Sequence, residues 1–420
     1  MTAAPAIKGW CPTLLSPMQS GDGWLARVKP SAATLSADAA RLVADAARRY
    51  GSGQIDLTSR GNLQVRGLSP RSAELLAEAI IGAGLAAANP AIEAIRNVMA
   101  SPLGPDDPSA FVDSHALAHE IEAMLGAEPA LAALPDKFCI LVDSGRVLPL
   151  AGVTADVMLR AEGEALSLSL DGGTLAASCS PSRAAEMVRA LALALVHLAW
   201  ERREPPRRAR PLLTEIGEEP IFAAAGLAAT PAPKQPETAP SAVGYISYSE
   251  ARGAFGAGLP FGRIEADTLA ALARLSERFG DGTLRTTPWR SLLIVGVDAV
   301  SAARLGEEIT TLGLIADPMD ARLRIFACVG APACQSASVD ARGDASRIAA
   351  VLGATGAGSI HVSGCAKSCA HRGPASITLV GREGRYDLIR NGAAADRPSL
   401  TGLAAEDAIA LLQAVRGTKR

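Results

Sequence analysis

The sequence predicts an α+β protein built from two copies of one unit related by a pseudo-twofold axis. Three observations lead there. Residues 35–68 align without a gap on residues 264–297, 229 positions later. Within that alignment Asp38/Asp267, Gly51/Gly280, Gly53/Gly282, Thr58/Thr287 and Gly67/Gly296 recur in phase, which points to duplication; chance similarity of alanine-rich helices is the plainer alternative. Each copy is followed by a larger segment of mixed helix and strand signals, so the order is A–B–linker–A′–B′. A chain of 420 residues needs more than one core in any case.

The first unit spans 1–80. It opens with Gly/Pro-rich turn chemistry through Gly23, then a strand from Trp24 to Val28. Ser36 to Tyr50 reads as a helix, with Ser36 as cap, Asp38 in the first turn, Arg48 and Arg49 in the last, and Gly51 as the stop. Gln54–Thr58 and Leu63–Gly67 read as strands joined by a bend at Ser59–Asn62. Residues 85–202 form the second unit. A helix is expected near 113–125, a turn at Leu134–Lys137 feeds a strand, and a helix from about 181 to 202 closes the unit. Residues 203–242 are Pro-rich and read as an extended linker. The repeat returns over 243–310, and 316–420 forms the last unit, ending in a helix near Ala404–Arg416.

Composition narrows the function classes. The chain is 49% hydrophobic and 20% charged with a formal net charge of −2, so no global basic field points to nucleic acid. The longest strongly apolar run, Ala190–Trp200, is too short to cross a bilayer and reads as a buried helix, so no membrane partner is expected. No charged region followed by an apolar stretch opens the chain. Seven cysteines, unevenly spread, argue for metal-binding or free thiols in a reducing cytoplasm rather than for disulfides.

Four of those cysteines fall in one window as Cys328-x5-Cys334 and Cys365-x3-Cys369. Structural zinc sites usually use tighter C-x2-C pairs. Wider spacings rich in Gly and Pro suit loops around a cubane iron–sulfur cluster, which takes four thiolates. Zinc or unmetallated thiols are the alternatives. Elsewhere, Arg60, Asn62, Gln64 and Arg66 alternate with Gly61, Leu63 and Val65, so an extended chain has one polar face. Paired arginines grip carboxylates through two parallel hydrogen bonds; a solvated strand face is the plainer reading. The equivalent positions of the second copy, Trp289, Ser291, Leu293 and Val295, have lost the polar face. His115 and His119 stand at i, i+4, where a helix could present both to one metal or simply carry two histidines. His371 directly follows the last cysteine. Cys11 reads as a packed or reactive thiol near the site, and Cys179 as buried.

Together these stretches resemble the sirohaem-dependent nitrite and sulfite reductases. The cysteine pattern, the duplicated half-domains and Thr58-Ser-Arg-Gly-Asn-Leu-Gln64 carry the likeness. Within that superfamily the chain is more similar to the precorrin-3B synthases. Cys11-Pro12, Pro17-Met18-x2-Gly21-Asp22-Gly23, Arg96-Asn97-Val98, Ser101-Pro102-Leu103, Gly258-Leu-Pro-Phe-Gly-Arg263, Thr287-Pro288-Trp289 and Gly364-Cys-Ala-Lys-x-Cys-Ala-His371 carry that closer likeness, which runs in order along nearly the whole chain.

The resemblance implies a duplicated nitrite/sulfite reductase-type architecture: two ferredoxin-like half-domains and two larger α+β domains, the second binding a 4Fe–4S cluster through Cys328, Cys334, Cys365 and Cys369. It implies catalytic roles for Arg60, Arg96 and Lys137. Arg60, Asn62, Gln64, Arg66, Arg96, Asn97 and Lys137 would bind a tetrapyrrole. It implies O2-dependent hydroxylation of precorrin-3A, using either sirohaem or a mononuclear non-haem iron. No G-x-G-x-x-G fingerprint follows a strand, so electrons are expected from a separate ferredoxin or NAD(P)H-dependent reductase. A ferredoxin-dependent assimilatory sulfite or nitrite reductase is the alternative. Against it, the reductase pattern has a second Lys two residues after Lys137, and Cys139 stands there. Lys367 and Ser368 also depart from the motif between the last two cysteines.

Overall fold

The computed structural model describes residues 10–200, 202, 208–234, 240–352 and 358–417. The first A unit runs β1 (Met18–Ser20), β2 (Gly23–Val28), β3 (Thr34–Ser36), α1 (Ala37–Tyr50), β4 (Gln54–Leu57), β5 (Leu63–Leu68) and α2 (Pro70–Gly82). Ser36 caps α1 by accepting from the Ala39 amide, as its place before the apolar stripe predicts. Gly61, in the left-handed region at φ 71, turns the β4–β5 hairpin; a Cβ there would come within 2.9 Å of Thr286 Oγ1.

The first B unit holds α3 (Pro90–Ile95), β6 (Val98–Ala100), α4 (Ser114–Ala127), β7 (Ile140–Asp143), β8 (Val157–Glu162), β9 (Ala165–Leu170), β10 (Leu175–Cys179), α5 (Ala184–Trp200), α6 (Ala209–Ile216), α7 (Glu219–Ala224) and β11 (Thr230–Pro231). The linker expected over 203–242 is corrected here. Residues 208–231 are part of the domain: Ala209 and Leu212 on α6 and Ile221 and Phe222 on α7 are buried in the B core, and β11 pairs with β10. Proline content hid two short apolar pairs, Ala209 with Leu212 and Ile221 with Phe222. Residues 203–207 and 235–239 of that stretch lie outside the described residues.

The second A unit repeats the first: β12 (Gly244–Ser247), β13 (Gly253–Gly258), β14 (Arg263–Glu265), α8 (Ala266–Phe279), β15 (Thr283–Thr286), β16 (Ser291–Val297) and α9 (Ala299–Thr311). The last unit has β17 (Ile325–Ala327), α10 (Ala341–Leu352), β18 (Ile360–Ser363), β19 (Ala375–Arg382), β20 (Arg385–Gly392), β21 (Leu400–Leu403) and α11 (Ala405–Gly417).

The two A units exchange a strand. One sheet is ordered β1-β2-β5-β4-β14 and the other β12-β13-β16-β15-β3, so each borrows its edge strand from the other copy. Arg263 stands opposite Asp56 in one sheet and Thr34 opposite Arg285 in the other. Helix α1 lies on α8, and residues of both copies share one core. Immediately before each exchanged strand, Ala32 and its repeat partner Phe261 sit in the left-handed region, at φ 46 and 53. The duplication reaches the B units too. Each sheet begins with three parallel strands, β6-β7-β8 or β17-β18-β19, and continues antiparallel. In such sheets the carboxyl ends of the parallel strands are where ligands bind.

Candidate active site

The cysteine pairs arise at those strand ends. Cys328 follows β17 directly and Cys365 lies two residues after β18. The Cys328 Sγ accepts a hydrogen bond from the Gly364 amide at 3.0 Å. Residue 364 has no room for a side chain, since a Cβ would lie 2.6 Å from Ala337 Cβ and 3.4 Å from the Cys328 sulfur. Burial pushes both Cys328 and Cys369 above the usual thiol range, and the neighbouring thiols push the same way: Cys334 and Cys365 on Cys328, and all three other cysteines on Cys369. All four are free thiols. In the first B unit the topologically matching positions carry no cysteine. There Ser101 Oγ donates to Asp143, which also binds Arg160.

The described residues enclose a cavity of about 760 Å³ between the two halves, in the range of small-molecule sites. Cys328 and Cys369 line one side, together with Phe326 of β17. Thr58, Ser59, Gln64 and Arg27 of the first A unit line another. Phe261, Trp289 and Arg290 come from the second A unit, and Arg342 from α10. Arg27 Nε donates to Gln64 at 3.2 Å, and its guanidinium also lies against Cys11 and Asp136. Arg290 donates to the carbonyls of Ile325 and Leu323 and lies over the Phe326 ring; burial lowers its pKa to about 10. Arg342 donates to Asp56 at 3.0 Å, and its Nε is buried with no partner among the described residues.

The predicted polar site residues divide into four groups. Gln64 lines the main cavity. Arg60, Asn62, Arg96 and Asn97 line a smaller polar cavity beside it, of about 10 Å³, together with Lys29, Glu122 and Cys139. Arg60 also donates to the Lys137 carbonyl at 2.9 Å, so Lys137 supports the site through its backbone, and its side chain lines none of these cavities. Arg66 belongs elsewhere. It is 1% exposed, donates to both Asp22 oxygens at 2.8 Å and pairs with Asp56, so its place in the carboxylate grip is corrected: it is a buried structural cation. Its position on the polar face was correct, but Asp22 and Asp56 consume its donors.

The arginines that face the main cavity, Arg27, Arg290 and Arg342, were not singled out from the sequence. Arg27 had a signal: it stands opposite Gln64 in the β2–β5 ladder. Arg290 and Arg342 come from loop and helix positions whose approach only the tertiary fold creates. His115 is committed on both ring nitrogens, to the Ser101 carbonyl at 3.0 Å and to Thr34 Oγ1 at 3.3 Å, while His119 meets Ser31 at 3.0 Å. They do not converge on one point. His371 stacks on Phe326 at 4.4 Å.

Two half-domains with exchanged strands, two matching B sheets and a cysteine-walled cavity between the halves define the class: a protein of the nitrite/sulfite reductase superfamily. The family model for the nitrite/sulfite reductase ferredoxin-like half domain matches residues 16–82 and 250–311. The fold resembles that of the Mycobacterium tuberculosis NirA protein with a TM-score of 0.77 at 21% identity, over 94% of this chain and 80% of that one. A ferredoxin–nitrite reductase of Synechococcus elongatus is 24% identical over 87% of this chain and 77% of its own length. A precorrin-3B synthase of Sinorhizobium is 34% identical over 95% of this chain and 86% of its own length. The chain belongs to the precorrin-3B synthase family.

Four free thiols, with the Gly364 amide donating to Cys328, have the chemistry that an iron–sulfur cluster takes. Among the described residues no three His, Cys, Asp or Glu side chains close around a single ion, and no helix is long and apolar enough to cross a membrane.

Proposed function

We propose that this chain hydroxylates precorrin-3A at C20 with O2 and closes a γ-lactone with an acetate side chain, the precorrin-3B synthase reaction. One oxygen atom enters the substrate and the other leaves as water, which consumes two electrons and two protons. The observation that carries the reading is the main cavity, bordered at once by arginines from both halves and by two cysteines of the four-thiol group.

Arg27, Arg342 and Arg290 hold the carboxylates that fringe the tetrapyrrole, because guanidinium groups bind carboxylates in pairs and stay charged when partly buried. Trp289, Phe326 and Phe261 supply apolar wall against the macrocycle. Arg60, Arg96, Asn62 and Asn97 form a water-sized polar space behind the reacting end of the main cavity. Cys328, Cys334, Cys365 and Cys369 hold a 4Fe–4S cluster. When bound, that cluster supplies single electrons, passed on from a ferredoxin or an NAD(P)H-dependent reductase, and sirohaem or a mononuclear iron supplies O2 activation. Cys139 supports the synthase reading over oxyanion reduction. It is buried, lines the same polar space and carries no charge there, since burial pushes its thiol well up.

The test supplies precorrin-3A, O2 and a reductant in one assay, and sulfite or nitrite with reduced methyl viologen in another. Hydroxylated lactone in the first alone is expected. Turnover of the inorganic anion alone would overturn the proposal. Visible spectra with acid extraction then identify the iron centre.

A further inference from the structure

Behind the Thr58–Asn62 turn, the main cavity does not end. A water-sized cavity of about 10 Å³ shares Pro288 with it and is lined by Arg60, Gly61 and Thr286. A second, equally small, shares Arg60, Pro30, Val98 and Met99 with the first and is lined by Lys29, Arg96 and Glu122. Space of this size with several polar partners holds a single water. The row ends at Glu122. Ser31 Oγ donates to the Glu122 carboxyl, and the same hydroxyl meets His119 Nδ1 at 3.0 Å. His119 is exposed. On α4, His119 and Glu122 are three residues apart and share a face. Opposite them, Ser31 is carried on the turn with Ala32 and Ala33, both in the left-handed region.

We infer that His119, Ser31 and Glu122 form the proton entry to the active cavity, delivering protons through the two water-sized spaces past Arg60. The inference rests on the hydroxylation proposed above, which needs two protons for each O2 it splits. Among the described residues that line the main cavity a single one bears a carboxyl. That residue, Asp56, is locked between Arg66, Arg263 and Arg342. Glu122 faces Arg96 from the α3 end, with its Nη1 3.8 Å away, Ser31 from the turn and His119 from its own helix; Glu93 lies further behind. Lys29, Arg60 and Cys139 complete the charged and titratable lining of the inner cavity. Burial raises the Glu122 carboxyl and lowers the Lys29 ammonium to about 8, which moves the two groups toward each other. Three cations exclude a free hydronium, so transfer runs group to group through bound water. Solvent thus reaches the reacting end from the first B unit, on the side away from the cysteines.

The holoenzyme is compared with Glu122→Gln and Ser31→Ala, with cluster absorbance as the check on folding. Infrared spectra in H2O and D2O read the carboxyl itself. The expected result is a protonated carboxyl band that shifts in D2O, is absent in Glu122→Gln and exchanges more slowly in Ser31→Ala. In turnover both variants lose about 10- to 100-fold in kcat, keep KM for precorrin-3A and show a larger solvent isotope effect. A carboxyl that exchanges as fast in Ser31→Ala, or variants in which only KM moves, would overturn the relay and leave Glu122 a structural group. If the wild type fails to convert precorrin-3A, the functional reading falls, and the exchange measurement still decides whether the relay exists.

Discussion

At the scale of single residues, the structure turns on one buried carboxylate. Asp56 is 6% exposed and meets Arg66, Arg263 and Arg342, which come from three different segments. Arg263 belongs to the exchanged strand and Arg342 to the cysteine-bearing domain, so Asp56 ties both halves to one point beside the cavity. Removing its charge leaves two half-buried guanidiniums, Arg263 and Arg342, beside the buried Arg66, which keeps Asp22. Asp56→Asn should cost about 3–5 kcal/mol, the usual penalty for breaking a buried pair from one side; urea midpoints measure it, and a loss below about 1 kcal/mol would show that solvent already screens the cluster. The burial of His115 makes a second residue-scale prediction. Burial lowers its pKa to about 4, with Arg285 nearby acting in the same direction. Between pH 6.5 and 4 the unfolded chain takes up a proton that the folded chain refuses, so stability falls as pH drops through that window, by about 3 kcal/mol at most. His115→Asn should flatten this part of the stability profile; an unchanged acid slope would remove His115 as the cause. The sequence announced neither device. The repeat pairs Asp56 with Arg285, and the exchange of opposite charges at equivalent positions is invisible until the strands are known to cross over.

At the scale of elements, local signals were legible wherever a side chain acts within its own turn. Ser36 capping α1 and Gly61 turning the β4–β5 hairpin stand where sequence places them, and α4 begins, behind its Asp113 cap, within the stretch expected to be helical. What sequence could not give is which strands pair across 200 residues, or that α6 and α7 leave a Pro-rich stretch to cover the B sheet. The site shows the same division. The cysteine pairs and the Arg60–Gln64 face could be read from spacing and alternation. Arg290 and Arg342 could not, because their cavity exists only once the two halves meet. The loop after β18 supplies the element-scale prediction. Gly364 donates its amide to Cys328 and has no space for a methyl group. Gly364→Ala must therefore move either Ala337 or the Cys328 loop. The expected variant folds, with unchanged far-ultraviolet circular dichroism, but loses most of its iron and its visible cluster absorbance; full iron loading would show that the loop yields without disturbing the thiols.

At the scale of the whole molecule, the exchanged strands make the two halves one folding unit at their centre. Without β14 the first sheet would end on an open β4 edge, and without β3 the second would end on β15. The shared core, in which α1 packs on α8, has no counterpart inside either half alone. The same arrangement sets the function: the cavity takes one wall from each copy, and divergence has left thiols on the second half and the polar β-hairpin on the first. A chain of this size with several cores would ordinarily unfold in stages. Here the A units should instead unfold together. Trp24 packs on the shared core from the first copy, and Trp289 packs between two small clusters at the second. With Trp10 and Trp200 replaced by Phe, variants keeping either Trp24 or Trp289 should report the same urea midpoint. Two separated midpoints would mean that each half holds its sheet without the borrowed strand, and that the cavity between them can open without unfolding either one.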